Sequence, residues 1–99
     1  MDIIEAAQGF SAMGSESRLE VLQTLVRAGN DGLRVGDIQE RTGITASTLA
    51  HHLKFLAAAN LIVQRKPGRV IMSTANFDHL NLLAGFILEE CCTETGARP

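Results

Sequence analysis

The run Ser47-Thr48-Leu49-Ala50-His51-His52-Leu53-Lys54-Phe55-Leu56 decides how this chain folds. Leu49, Leu53 and Leu56 stand four and three apart, which places them on one face of a helix over residues 46–58. Ser47, Thr48, His51 and Lys54 fall on the opposite face, so the helix has one side for a core and another that is small, polar and cationic. Thr42-Gly43-Ile44-Thr45 precedes it. Gly43 permits a positive φ, Ile44 plugs into a core, and Thr45 or a neighbour caps the helix that follows. Before this turn, residues 35–42 form a short helix carrying Val35 and Ile38.

After Ala59-Asn60 the helical period stops. Leu61-Ile62-Val63-Gln64-Arg65-Lys66 and Val70-Ile71-Met72-Ser73-Thr74 are rich in β-branched residues, and Pro67-Gly68-Arg69 joins them as a three-residue loop. This predicts a hairpin over about 61–74 whose tip is basic. A last helix covers about 76–92, with Phe77, Leu80, Leu83, Ala84, Ile87 and Leu88 on its apolar side; residues 93–99 are expected to fray. Toward the N-terminus, residues 2–13 form a helix in which Ile3, Ile4, Ala7 and Phe10 recur at helical spacing. Gly14 suits a left-handed terminal position and Ser15 caps a second helix over 16–28, with Leu19, Leu22, Leu25 and Val26 as its buried stripe. Ala28-Gly29-Asn30-Asp31-Gly32 is a turn.

Helix, helix, short helix, turn, helix, basic hairpin, helix is the order of a winged helix-turn-helix. That is a mainly α fold with a small β-hairpin (α+β), here one domain over residues 1–99. Its physics suits B-form DNA. A helix fits the major groove and shows small polar side chains to base edges, while its N-terminal N–H groups favour phosphate. Ser47, Thr48, His51 and Lys54 are the groove-facing candidates, and Arg65, Lys66 and Arg69 on the hairpin are placed for the flanking backbone.

Length and composition agree. The chain has 99 residues, of which 45% are hydrophobic and 20% charged. This is one domain's worth, too apolar for a disordered chain and small enough that a partner subunit is expected. No apolar run approaches the roughly 20 residues that span a bilayer, and Met1-Asp2-Ile3-Ile4-Glu5 lacks the basic start of a signal peptide, so a cytoplasmic protein without membrane contact is expected. The net charge of −2 hides a pattern. Residues 1–33 carry two basic and five acidic side chains, residues 34–69 six basic and two acidic, and residues 70–99 one basic and four acidic. The cationic middle third is what attracts a phosphate backbone, whatever the total.

Ser17-Arg18-Leu19-Glu20-Val21-Leu22, Val35-Gly36-Asp37-Ile38, the run from Ser47 to Leu56, and Ala59-Asn60-Leu61-Ile62 together resemble the ArsR family of bacterial metalloregulators over roughly residues 6–92. The resemblance implies a winged helix-turn-helix homodimer joined through its first and last helices, here about 2–13 and 76–92. The recognition helix is then about 46–58 and the wing about 61–74. It also implies a repressor that leaves its double-stranded operator when an inducer binds. Ala50 stands where many members have Ser. His52 matches a His common in the family's recognition helix; helix packing or a phosphate contact explains it better than metal ligation.

Three sensor sites of the family can be sought here. A Cys-Val-Cys pair at the third helix is absent, since Arg34-Val35-Gly36 stands there. An Asp/His zinc site across the last helices finds only adjacent Asp78 and His79, which diverge on a helix and read better as a capped helix start. The third is a cysteine cluster closing the last helix, and Cys91 and Cys92 fit it. In a reducing compartment such cysteines are thiols or ligands rather than a structural bridge. Soft trivalent ions prefer thiolates, so the expected inducer is As(III), an organic arsenical or Sb(III), with no resident cofactor. Similar arsenic-responsive members add a third cysteine, whereas Thr93-Glu94-Thr95-Gly96-Ala97-Arg98-Pro99 has none. That leaves a two-thiol site for monosubstituted arsenicals, a ligand from solvent or a partner, or a shortened chain. Glu89 and Glu90 are expected to keep the thiols protonated.

Thiol oxidation or persulfide formation at the same pair is an alternative trigger. A winged module that binds protein instead of DNA is another, but it has no need of Arg65, Lys66 and Arg69 together. No phosphate loop, metalloprotease helix or nucleophile motif points to an enzyme.

Overall fold

A computed structural model describes residues 1–96. The helices are α1 (Ile3–Met13), α2 (Glu16–Ala28), α3 (Val35–Thr42), α4 (Ala46–Ala58) and α5 (Phe77–Leu88). The strands are β1 (Leu33–Arg34), β2 (Ile62–Arg65) and β3 (Met72–Ala75), in one antiparallel sheet of order β1-β3-β2. Side chains start three of the helices. The Asp2 carboxylate accepts from the Glu5 N–H at 2.7 Å, the Ser15 hydroxyl from the Arg18 N–H at 3.1 Å, and the Asn76 side-chain oxygen from the His79 N–H at 3.2 Å.

The core gathers Val21, Leu22 and Leu25 of α2, Ile38 of α3, Leu49, Leu53 and Leu56 of α4, Leu61 at the root of the wing, and Leu83 of α5. The leucines of α4 are buried as their spacing predicts. On α2 the buried face is Val21, Leu22, Thr24 and Leu25; Leu19 and Val26 are exposed, against expectation. Burial of Thr24 is tolerated because its hydroxyl donates to the Glu20 carbonyl at 2.8 Å.

The sheet has a strand the sequence did not announce. Leu33 and Arg34 pair with Ser73 and Met72, so β1 extends the hairpin to three strands. The hairpin loop is also longer than three residues: pairing ends at Arg65 with Met72, which leaves residues 66–71 as the loop. Continuing the ladder would set Pro67 opposite Val70, and Pro67 has no N–H to donate.

Helix ends differ in detail. Gly14 is not left-handed (φ −80°), whereas Gly43 is, at φ 74°. The last helix stops at Leu88, and turns carry the chain through residues 89–95, including both cysteines. Asn76, not Asp78 or His79, is the cap; His79 is buried against α1, its Nδ1 4.0 Å from a Glu5 carboxylate oxygen. The expected fraying of the tail lies outside the described residues from 97 onward.

The radius of gyration is 15.4 Å, against about 13 Å for a compact domain of this length. The shape is elongated, 53 × 25 × 22 Å. Ile3 and Ile4 of α1 and Leu82, Ile87 and Leu88 of α5 are each more than half exposed, an unusual share of large apolar side chains left in water. No helix among the described residues is long and apolar enough to cross a membrane.

Candidate nucleic-acid interface

Helix α4 turns Ser47, Thr48, Ala50, His51 and Lys54 outward, all exposed, while its leucines hold it to the core. Thr45 occupies the N-cap position but does not cap. Its hydroxyl is instead hydrogen-bonded to the Thr48 hydroxyl at 3.2 Å, and no acidic residue lies in the first turn. The first N–H groups of α4 therefore keep their positive end free of a side-chain acceptor, which suits an incoming anion. His51 packs its ring edge-on to Phe55, with centroids 5.0 Å apart.

Arg65 ends β2, while Lys66 and Arg69 sit in the loop beyond; all three are exposed. Arg65 and Lys66 line a concavity of about 530 Å³ with Asp31, Pro67 and Met72, and Arg69 lies outside that lining. Among the described residues none of Lys54, Arg65, Lys66 or Arg69 is in an ion pair. These charges are not committed to internal partners.

One joint escaped the reading of the residues as a functional element. Asn60, between α4 and β2, is left-handed at φ 64°. Its carbonyl and side-chain oxygens accept from the Asn76 side-chain nitrogen at 3.0 and 3.2 Å, and the Asn76 N–H donates to the Leu61 carbonyl at 2.9 Å. The end of α4, the root of the wing and the start of α5 are thus tied by two asparagines. The Asn60-Leu61 step was the available signal, since Asn adopts positive φ more readily than most other side chains.

His52 is half-buried, and its Nδ1 is buried without a hydrogen-bond partner among the described residues. Burial, and then the charges of Arg18 and His51, hold its pKa below the ordinary histidine value. The folded chain therefore binds fewer protons here than the unfolded chain just below about pH 6.5, so stability falls as pH drops through that value. The thermal midpoint of the wild type is expected to fall more between pH 7 and 5.5 than that of His52→Gln. An equal fall in both proteins would remove His52 as the cause.

At the end of α5 the sulfurs of Cys91 and Cys92 lie 3.2 Å apart, and both thiols are free. Cys92 has φ 60°, the kink that lets neighbours on a helical path face one way. Contact with the Cys91 thiol, and then burial, raise the Cys92 pKa. The cause is thus the paired thiol and not the expected Glu89 and Glu90, which are exposed and screened by solvent. Among the described residues no group of three or more His, Cys, Asp or Glu is placed to hold a metal ion.

A three-stranded sheet with a long basic loop, packed behind a helix-turn-helix, defines a winged helix-turn-helix protein. A family model described as a helix-turn-helix domain matches residues 13–65. The chain is 34% identical over 85 residues to the arsenical resistance operon repressor of Bacillus subtilis (strain 168), spanning 86% of this chain and 76% of that protein. It is 31% identical over 94 residues to the nodulation protein NolR of Rhizobium meliloti, spanning 94% and 75%. Among solved structures, an ArsR-like transcriptional regulator from Rhodococcus sp. RHA1 matches with a TM-score of 0.77 and 31% identity, over 92% of this chain and 82% of that one. Across four curated relatives the shared stretch covers between 50% and 76% of their length. The chain belongs to the ArsR family of transcriptional regulators.

Proposed function

We propose that the chain is a homodimeric repressor that grips double-stranded operator DNA and releases it when the Cys91 and Cys92 thiols capture a trivalent arsenical or Sb(III). Ser47, Thr48, His51 and Lys54 would meet base edges and phosphates of the major groove, with Arg65, Lys66 and Arg69 on the flanking backbone. The observation that carries the DNA reading is the outer face of α4: exposed, uncapped, and with its lysine unpaired. The apolar residues left in water on α1 and α5 support a second copy docking there.

The sulfur spacing supports the inducer. Two thiols turned to one side close a small ring around arsenic with little loss of chain entropy. A monosubstituted arsenical forms two As–S bonds, and each thiol proton leaves with an arsenic hydroxyl as water. A raised thiol pKa therefore does not oppose capture. The same contact favours a second reading, oxidation of the pair by hydrogen peroxide, in which two thiols become one disulfide and the peroxide becomes two waters.

Fluorescence anisotropy on DNA from upstream of the gene separates these outcomes. The double variant Cys91→Ser, Cys92→Ser is expected to bind DNA as tightly as the wild type and no longer to release it with phenylarsenite. Release that survives the double change excludes the pair as the arsenical site. Release of the wild type by mild peroxide alone, with none by phenylarsenite, supports the redox reading.

A further inference from the structure

Between α1 and α4 runs a cleft of about 680 Å³ that neither the DNA-facing side chains nor the thiols line. Ile4, Ala7 and Ser11 of α1 form one wall, Phe55 and Ala58 of α4 the other, and Arg18 lies between. The cleft is a groove open to solvent rather than an enclosed pocket, and its lining is mostly apolar with a few polar groups, the make-up usual for small-molecule sites.

Arg18 gives the cleft its chemistry. It is half-buried at the start of α2. Its Nε–H donates to the Ala12 carbonyl, and its guanidinium carbon lies 5.3 Å from the centre of the Phe55 ring. These two contacts hold the group between Ala12 of α1 and Phe55 of α4. Arg18 lines the cleft, and among the described residues no carboxylate pairs with it. A guanidinium held beside apolar walls is suited to a carboxylate, which it takes with two parallel hydrogen bonds.

We propose that this cleft binds a small amphiphilic carboxylate, with its acid on the Arg18 guanidinium and its apolar body between Ile4 and Ala7 on one side and Phe55 and Ala58 on the other. Charge complementarity selects the occupant. A cation would be repelled, and a neutral apolar molecule or an apolar helix of a second copy would bury the guanidinium without a counter-charge. Of the exposed apolar side chains offered to a second copy, Ile3, Leu82, Ile87 and Leu88 do not line the cleft, while Ile4 lines it and is shared between the two surfaces. An occupant would touch both α1 and the helix that carries Ser47, Thr48, His51 and Lys54, so the site is placed to act on DNA binding independently of the thiols. Its existence does not rest on the DNA reading.

Isothermal titration of the full chain without DNA, using 2-naphthoate and its neutral amide, tests this. The acid is expected to bind, with the amide weaker by about tenfold or more, the loss of a charge-assisted hydrogen bond. Arg18→Gln should weaken the acid by a similar factor and leave the amide unchanged. Ala58→Leu, an exposed position on α4, should fill the cleft and abolish binding without disturbing the fold. Absence of binding to the wild type would overturn the proposal, as would equal affinity for acid and amide or affinity indifferent to both variants. Uptake that appears only on dilution of the protein would also overturn it, because a second copy would then be the native occupant.

Discussion

The triple variant Arg65→Gln, Lys66→Gln, Arg69→Gln is expected to bind a mixed-sequence duplex with a much flatter dependence on salt than the wild type. The three side chains are exposed, and among the described residues none is spent on an ion pair. Their loss is therefore expected to cost the fold little and to remove three of the proposed phosphate contacts. Each contact contributes about 0.9 to the slope of log affinity against log salt, so the slope should shrink by about three per protomer. Reckoned from 1 M salt, affinity at 0.1 M would drop roughly eightfold per lost contact, or about 500-fold per protomer. Binding measured from low to high salt with both proteins gives the two slopes directly. A wild type whose affinity ignores salt would favour a winged module that binds protein. A normal slope in the triple variant would move the phosphate contacts elsewhere.

Gly32→Ala is expected to be the most damaging single methyl group in the molecule. Gly32 has φ 77° and ψ −177°, a region that only glycine occupies without strain. A Cβ there would also stand 2.6 Å from the Ser73 carbonyl oxygen and 2.7 Å from the Thr74 Cγ2, because β1 begins at the next residue and lies against β3. Strain and overpacking each cost about 1–3 kcal/mol, so a loss of about 3 kcal/mol or more is expected from a total of about 5–15 kcal/mol. Gly29→Ala is the matched control. Gly29 has a similar backbone, φ 74° and ψ −157°, but nothing within 4 Å of its Cβ position. It should lose the strain alone, about 1–2 kcal/mol. Urea unfolding of both variants measures the difference, and equal losses would mean that the close approach to β3 is not responsible.

This glycine also marks where the reading of residues ran out. Gly32 stood inside an obvious turn, yet nothing local told that the two residues after it pair with Ser73 and Met72. Two residues carry no alternation, and the partner lies about forty positions away. The face of α2 was undecidable for a related reason. Leu19, Val21, Leu22, Leu25 and Val26 are all apolar, and α3, α4 and β3 packing on one side selected Val21, Leu22 and Leu25. Thr24 joined them because it could satisfy its hydroxyl within its own helix. The Cys91 and Cys92 pair was visible as a pair, but the 3.2 Å approach of its sulfurs goes with α5 stopping at Leu88 and a positive φ at Cys92, neither of which is written locally.

From its sequence alone, this chain's helix-turn-helix, its cationic wing, its unpartnered apolar ends and its neighbouring thiols were all determined, because each is written in residues close together and in a single period. Only the tertiary structure decided the third strand, the clamp between Asn60 and Asn76, the burial of His79 and the cleft around Arg18. Those arise where residues far apart in the chain compete for the same space, and local periodicity holds no record of that competition.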